Sequence, residues 1–449
     1  MMMVAARNQK GVVLLVVLWT VAILLLLAGA TGQTSRLDTK LSTFTAQEIR
    51  CKWAARAGVE KAIAILNEDD PTTDSLNEDW ATSAQDLVDV QLEGCTYTVR
   101  IVDESGKLNI NTATREQLLG LFDWGMDPAI ADAIIDWRDA DDEPGEEGVE
   151  AGYYENLPYR YTIRNGPFRT IRELLKVRDV TEQLLYGEDT NLNGKLDPTE
   201  QDGDQNPPSD NGNEVLDEGW IAFLTCYAPQ NPPQDPSGQT KLDINQATAE
   251  QLQEIGLTAT QAQAVIDSRP SGGYTSLASL FSTVTTTDAN ATATGAATQT
   301  TDQAATAQQT SNPPLDVETF RSIVDQITIT TGQPTPKLNI NTAPLPVLVA
   351  IFGGDDLAYE IAYRIVEYRD STLYGFESIG QLLDVPSMTT EAFAKVVDQV
   401  DVRSNLFTIY SIAKSDQAGS SSAGWFVEAV VERGQSPARI LYWYEGATP

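Results

Sequence analysis

The chain opens with a short polar stretch, MMMVAARNQKG, and then an uncharged apolar run from Val12 to about Ala30. About 20 apolar residues rising 1.5 Å each span a hydrocarbon core of roughly 30 Å, so the run predicts a membrane-crossing helix. Arg7 and Lys10 before it, and an acidic bulk after it, put the N-terminus on the cytoplasmic side. A secretory signal peptide is the alternative, with Ala28-Gly29-Ala30 as its small-residue cleavage site. The sequence beyond does not become a loop, however. From Arg36 to about Asn67 the apolar positions Leu37, Leu41, Phe44, Cys51, Ala55, Ala62 and Leu66 recur at three, four or seven residues, which is one face of a helix. Arg36, Asp38, Lys40, Arg50, Lys52 and Arg56 fall on other faces, and Asp69-Asp70-Pro71 ends the pattern. The periodicity predicts one helix of about 55 residues running from the membrane into a soluble head.

The period then changes. Cys95-Thr-Tyr-Thr-Val-Arg-Ile-Val102 alternates and is β-branched, a strand. Phe407–Ala413, Trp425–Val431 and Arg439–Tyr444 read as three more, separated by Gly/Ser-rich or Pro-containing turns. The fold class is α+β: a long N-terminal helix laid on a small antiparallel sheet. The roughly 300 residues between the first strand and the last three are then a large insertion, mainly α-helical.

The insertion repeats itself. Lys107-Leu-Asn-Ile-Asn-Thr-Ala113 recurs as Lys241-Leu-Asp-Ile-Asn-Gln-Ala247 and Lys337-Leu-Asn-Ile-Asn-Thr-Ala343. Each is followed by a Leu-rich helical pattern, then by a helix ending in Ile-Asp-Trp-Arg138, Ile-Asp-Ser-Arg269 or Val-Glu-Tyr-Arg369. An aromatic-x-Ser/Thr element comes next: Phe168-Arg-Thr170, Tyr274-Thr-Ser276 and Phe376-Glu-Ser378. The Asn-x-Ala-Thr/Pro boundary suits a helix N-terminus, so three related helix-hairpin-helix-like units are expected. Ser282 to about Pro314 is almost all Thr, Ala, Gln, Asn and Asp and reads as a flexible loop. Asp139-Ala-Asp-Asp-Glu143, with Pro144, is another acidic loop.

Composition narrows the chemistry. The 449 residues carry 30 Lys and Arg against 64 Asp and Glu, a formal charge of -34 that repels phosphate backbones and anionic headgroups. There is no histidine, which removes the commonest general base and zinc ligand. With no Gly-rich phosphate loop and no Gly-x-Ser-x-Gly elbow, nothing in the sequence signals an enzyme. The three cysteines, Cys51, Cys95 and Cys226, make no disulfide framework and no metal knuckle. A Cys51–Cys95 bridge in an oxidising compartment and three free thiols both remain open.

The segment 187–219 does carry chemistry. Asp189-Thr-Asn-Leu-Asn-Gly-Lys-Leu-Asp-Pro-Thr-Glu200 fits the calcium loop pattern Asp-x-Asx-x-Asx-Gly…Glu. The expected ligands are Asp189, Asn191, Asn193, the carbonyl of Lys195, Asp197 and a bidentate Glu200, with Gly194 at the sharp turn. Asp202, Asp204, Asn206, Asp210, Asn213 and Asp217 follow as a second, irregular oxygen set, interrupted by Pro207-Pro208. Packing so many carboxylates without a cation leaves strong like-charge repulsion, so calcium is expected to order the loop.

A basic leader ending in Gly11, an apolar run and a long amphipathic continuation together resemble the N-terminal signal of type IV pilins and type II secretion pseudopilins. The resemblance implies that a prepilin peptidase cuts after Gly11, leaving Val12 as the mature N-terminus. Most pilins carry glutamate at the fifth mature position, where it partners the N-terminal ammonium of a neighbouring subunit; here that position is Val16. That departure, with Lys107-Leu-Asn-Ile-Asn, Asp136-Trp-Arg-Asp-Ala-Asp-Asp-Glu-Pro144, the acidic loop and the C-terminal strands, is similar to the protein K family of large minor pseudopilins. The family implies a pilin-like fold whose inserted domain binds calcium. It also implies a tip complex with minor pseudopilins I and J, joined to the filament through a further one, H. The organisation expected on this basis is a leader, 1–11; a membrane-spanning helix, 12–30; the rest of the helix and the first strand, 31–104; and an inserted domain, 105–330. That domain holds the calcium loop 187–219 and the low-complexity loop 282–314. A third repeat unit, 331–403, and the C-terminal strands, 404–449, complete the chain. The rival resemblance is to membrane-anchored DNA receptors of competence systems, whose hairpins grip a phosphate backbone through a Gly-x-Gly turn. The turns here, Trp124-Gly-Met-Asp-Pro128, Ile255-Gly-Leu-Thr-Ala259 and Gly353-Gly-Asp-Asp356, lack it and are acidic, so no nucleic acid partner is expected.

Overall fold

The computed structural model describes residues 9–198, 200–201, 203, 208–228, 235, 239–281, 313–329, 336–372, 374–416, 423–433 and 438–448. The expected low-complexity loop falls outside these, apart from its last two residues. The first helix, α1, runs unbroken over Gln9–Glu68. It is the helix of the described residues that is long and apolar enough to cross a membrane. Its second half packs on a sheet through Cys51, Ala54, Ala55, Val59, Ala62 and Leu66, all buried at helical spacing. The approach is close because of Gly58: a Cβ there would lie 2.5 Å from Ser411 Oγ and 2.8 Å from Val99 Cγ2.

The sheet has five antiparallel strands in chain order: β1 (Val90–Leu92), β2 (Cys95–Asp103), β3 (Leu406–Ser415), β4 (Gly424–Glu432) and β5 (Arg439–Ala447). The four longer strands are those the alternation predicts, each extended by a residue or more at its ends, except that β2 and β5 start where expected. The short edge strand β1 carries no such signal. β2 and β3 pair across the insertion, with Val99 opposite Ser411. The alternation separates two faces. Val99, Ile101, Phe407, Ile409, Val427 and Ala429 belong to the core shared with α1. Tyr410 belongs to the core of the insertion, and Val102 and Phe426 pack against that core. The sheet is thus sandwiched, which is why β3 is buried along most of its length.

The insertion consists of three units built on one scheme. In each, the Leu-Asn or Leu-Asp of the repeat forms a two-residue parallel ladder with a segment at the far end of the unit. Leu108–Asn109 pairs with Leu224–Thr225, Leu242–Asp243 with Ile327–Thr328, and Leu338–Asn339 with Val400–Asp401. Periodicity, which marks the insertion as helical, does not predict these ladders. Thr114 and Thr248 cap the following helices with reciprocal Gln117 and Gln251 bonds. In the third unit Pro344 takes the cap position without a side-chain bond.

The repeat residues wire each unit in the same way. The guanidinium of Arg138 donates to the carbonyls of Ile110 and Ala113, that of Arg269 to Ile244 and Ala247, and that of Arg369 to Ile340 and Ala343. The side-chain amides of Asn111, Asn245 and Asn341 each accept the N–H of the aromatic residue and donate to its carbonyl: Phe168, Tyr274 and Phe376. Gly375, at φ +70°, lets the chain pass this point; a Cβ there would lie 2.4 Å from Asn341 Oδ1.

Candidate functional site

Two features stand out from this frame: the acidic loop and the uncovered part of α1. The loop begins where the helix Glu182–Tyr186 ends at Gly187. Asp189 and Glu200 are both buried. Asp189 Oδ1 accepts the N–H of Asn193 at 3.0 Å and its Oδ2 that of Gly194 at 2.8 Å. The Asn191 amide donates to Asp197 Oδ2 at 2.9 Å and Glu200 Oε1 at 3.1 Å; the Asn193 amide donates to Asp197 Oδ2 at 2.8 Å. Glu200 also accepts from the N–H of Asp197 and from Thr190. Gly194 takes φ +72°, the turn the pattern requires of it. Hydrogen bonds thus link the side chains of Asn191, Asn193, Asp197 and Glu200, and Asp189 joins them through the Asn193 N–H. Lys195, whose carbonyl is the sixth expected ligand, follows the same turn, its N–H donating to Asn193 Oδ1 at 2.7 Å.

The residue types gathered here are those that a hard cation takes. Each asparagine amide that donates to a carboxylate here would, if turned by half a turn, offer its oxygen on that carboxylate's side. The donor set is then all oxygen, as a hard cation prefers. Burial pushes the Asp189 carboxyl above its usual range, against the Gly194 N–H and Arg100, which favour its charged form.

Two residues not singled out from the sequence hold the loop in place. Arg100, on β2, reaches Asp189 Oδ2 and Glu218 Oε1, both at 3.2 Å, and so docks the loop on the sheet. In sequence it is one of the polar positions of an alternating strand, with nothing to mark its partner. Glu188 is buried, and its carboxylate accepts the N–H of Asp217 at 2.9 Å and of Asn211 at 3.3 Å, closing the far end of the loop.

The second oxygen set is dispersed in part. Asp217 accepts from the Asn211 side chain. Asp210 and Asn213 accept from the N–H groups of Gly212 and Val215, within their own turns. Asp202, Asp204 and Asn206 lie outside the described residues. Cys51 on α1 and Cys95 at the start of β2 are buried, with their sulfurs 2.9 Å apart.

On α1, Leu37, Leu41 and Phe44 continue the packed stripe but are exposed, as are Ile49 and Trp53. The half of the stripe nearest the sheet has a partner within the chain; the half nearest the apolar N-terminal run has none among the described residues. Gly11 and Val12, the expected cleavage junction, lie within α1.

Models of one family, described as type II secretion system protein K, match residues 100–186 and 338–403. These segments hold the first and third repeat motifs. The type II secretion system protein K of Pseudomonas aeruginosa is 29% identical over 194 residues, covering 37% of this chain and 57% of that protein. That of Klebsiella pneumoniae is 26% identical over 213 residues, covering 43% of this chain and 62% of that protein. The chain thus spans about three fifths of the length of the curated relatives it matches. A chain in the GspK-GspI-GspJ complex of the enterotoxigenic Escherichia coli type 2 secretion system aligns over 91% of this chain and 99% of its own, at 13% identity and a TM-score of 0.47. By the two matched segments and the curated relatives, the chain is similar to the type II secretion system protein K family.

Proposed function

We propose that this chain is a minor pseudopilin of a type II secretion system. On this reading residues 12–30 hold it in the inner membrane, the body lies on the periplasmic side, and prepilin peptidase cuts between Gly11 and Val12. With minor pseudopilins I and J it forms the tip that initiates and caps the pseudopilus for protein export across the outer membrane, and H joins that tip to the filament. The role is one of assembly, with no catalytic step.

The observation that carries this reading is the division of α1. Its lower half is packed on the sheet, while Leu37, Leu41 and Phe44 present the same stripe uncovered. Apolar surface in register with a membrane helix favours lateral contact with similar helices. Val16 provides no carboxylate for the terminal ammonium of a further subunit, which suits a terminal position better than a repeating one.

Calcium would be held by Asp189, Asn191, Asn193, Asp197 and Glu200 with the Lys195 carbonyl, where it supplies positive charge and a cross-link between loop segments. Arg100 couples that loop to the sheet. The oxidising periplasm would also favour a Cys51–Cys95 disulfide between α1 and β2.

The test is recovery of the full chain from detergent-solubilised inner membranes of cells carrying the whole system. The expected result is a chain beginning at Val12 with pseudopilins I and J in the same complex, and an unprocessed chain for Gly11→Leu. A chain that starts upstream of Val12 and brings down neither subunit would refute the assignment.

A further inference from the structure

We propose that the cavity where the three repeat units meet binds a small organic molecule through a single carboxylate, which pairs with Lys337. The cavity has a volume of about 370 Å³, the size of a site for a small molecule. Each unit supplies part of its wall: Gln117 from the first, Thr328 from the second, Lys337 from the third. The second unit lies outside the two segments that the protein K models match, so this wall is not part of what those models describe.

The three repeat lysines show why an anion belongs here. Lys107, Lys241 and Lys337 each stand first in their repeat, directly before the Leu of the two-residue ladder. Lys107 Nζ donates to Glu104 Oε1 at 2.6 Å, and Lys241 Nζ to Asp401 Oδ2 at 3.1 Å. Lys337 is half-buried and lines the cavity, yet it forms neither a hydrogen bond nor an ion pair among the described residues. Lys107 lines the cavity too, but Glu104 already answers its charge.

The carboxylates around Lys337 are engaged by other donors. Asp398 accepts from the Ser276 hydroxyl and the Leu277 N–H, Asp325 from the Ser378 hydroxyl and the Ile379 N–H, and Asp401 from Lys241. Burial, and then the like charge of Lys241, push the Lys337 ammonium down to about 8, although the fields of Asp401, Asp398 and Asp325 favour its charged form. An anion in the cavity supplies the hydrogen-bonded counter-charge that the other two repeat lysines have within the chain.

The lining also selects the kind of anion. Thr328 is buried, and its hydroxyl makes no hydrogen bond among the described residues. A carboxylate has two oxygens and accepts from an ammonium and a hydroxyl together. A dianion such as phosphate fits less well, because Glu104 and Asp398 line the same cavity and repel a second negative charge. Leu108, Leu277, Leu338 and Ile351 complete the wall and suit a short aliphatic body. The ligand is thus a small aliphatic monocarboxylate, and by touching all three units it braces them against one another.

The experiment is isothermal titration calorimetry of the full chain in non-ionic detergent micelles, with sodium butanoate, butanamide and inorganic phosphate as probes. At neutral pH wild type should bind butanoate saturably, and both other probes at least about tenfold more weakly. Lys337→Met should weaken butanoate binding at least about tenfold, whereas Lys337→Arg, which keeps the charge, should stay within about threefold of wild type. The charged ammonium is the binding form, so affinity is full below about 8 and is lost as pH rises through that value. Between pH about 7 and about 9 wild type should lose about tenfold in affinity, and Lys337→Arg should lose nothing. No saturable butanoate binding by wild type, equal binding by Lys337→Met, or phosphate binding as tight as that of butanoate overturns the proposal. So does a wild-type affinity as flat with pH as that of Lys337→Arg. If Lys337→Met melts below wild type, the probe series and the pH profiles of the other two chains decide the matter without it. The chain is tested alone, so either outcome leaves the assembly reading where it stands.

Discussion

The three repeat asparagines offer an internal comparison, because the same bonds are made once in the buried interior and twice at half-buried positions. Asn341 is 1% exposed and Phe376 is fully buried. The Asn341 amide accepts the Phe376 N–H at 2.7 Å and donates to its carbonyl at 2.9 Å. Replacing it with alanine orphans one donor and one acceptor where water cannot follow. At about 1–3 kcal/mol for each unsatisfied group, Asn341→Ala should cost about 2–6 kcal/mol. Asn245 makes the same pair of bonds to Tyr274, at 2.6 and 3.0 Å, but is only half-buried. Water can replace its amide, so Asn245→Ala should cost about 1 kcal/mol, the net worth of a typical hydrogen bond. Asn111 is also half-buried but donates to Cys226 as well as Phe168, and its substitution should fall between the two. Denaturant unfolding ranks the three variants, and amide exchange at Phe376 and Tyr274 localises each effect, since a chain of several units need not unfold in one step. If Asn245→Ala proves as costly as Asn341→Ala, or if Asn341→Ala costs less than about 1 kcal/mol, burial is not what sets the value of these bonds.

Three further outcomes follow from the same geometry. Calcium at 10 to 100 times its dissociation constant should stabilise the chain by about 1.4–2.7 kcal/mol, and Asp189→Ala with Glu200→Ala should diminish that gain in a calcium-dependent melt. Glu445 on β5 is hydrogen-bonded by Arg56 and Lys52 of α1, which holds its carboxyl down at about 2 from a usual 4.5. The stability this contributes is present above the unfolded value and is lost as pH falls from about 4.5 towards 2. Melting curves of wild type and Glu445→Gln should therefore converge in acid; a constant gap down to pH about 2 would contradict this. Finally, chain isolated from an oxidising compartment should lack free thiols at Cys51 and Cys95 by alkylation and mass spectrometry. Closing the loop between these residues, 44 apart, stabilises by at most about 4 kcal/mol through chain entropy, so reductant should lower the unfolding midpoint.

The head of this molecule was legible in its sequence because long elements carry their own period. Sixty residues of helix and strands of nine or ten show which face is apolar, and α1, β2, β3, β4 and β5 appeared where alternation put them. The acidic loop stood out because its expected ligands follow one another at fixed spacing. What was missed is short or distant. Two-residue ladders such as Leu338–Asn339 with Val400–Asp401 have no period to detect. β1, with three residues, is little better. Arg100 lies 89 positions from Asp189, and no local pattern joins them.

The sandwiched sheet explains how so large an insertion is compatible with lateral packing of α1. The insertion is fastened to the face of the sheet that α1 does not use: Arg172 pairs with Glu428 of β4 at 2.6 Å, and Arg100 of β2 holds the acidic loop. The third unit is joined at the sheet's end. There the Asn339 amide donates to Asp103, Ser404 and the Asp74 carbonyl, and Arg433 binds both oxygens of Asp74. These bonds are buried and charge-assisted, so the junction is stiff rather than a flexible linker. None of them involves Leu37, Leu41 or Phe44, which are exposed. On the proposed assembly, neighbouring helices can therefore bundle along α1 without displacing the insertion. Any force on the insertion passes through β2, β3 and β4 to the packed half of α1. Loosening the Asp74–Arg433–Ser404 junction should then impair assembly even though it touches neither the apolar N-terminal run nor the acidic loop.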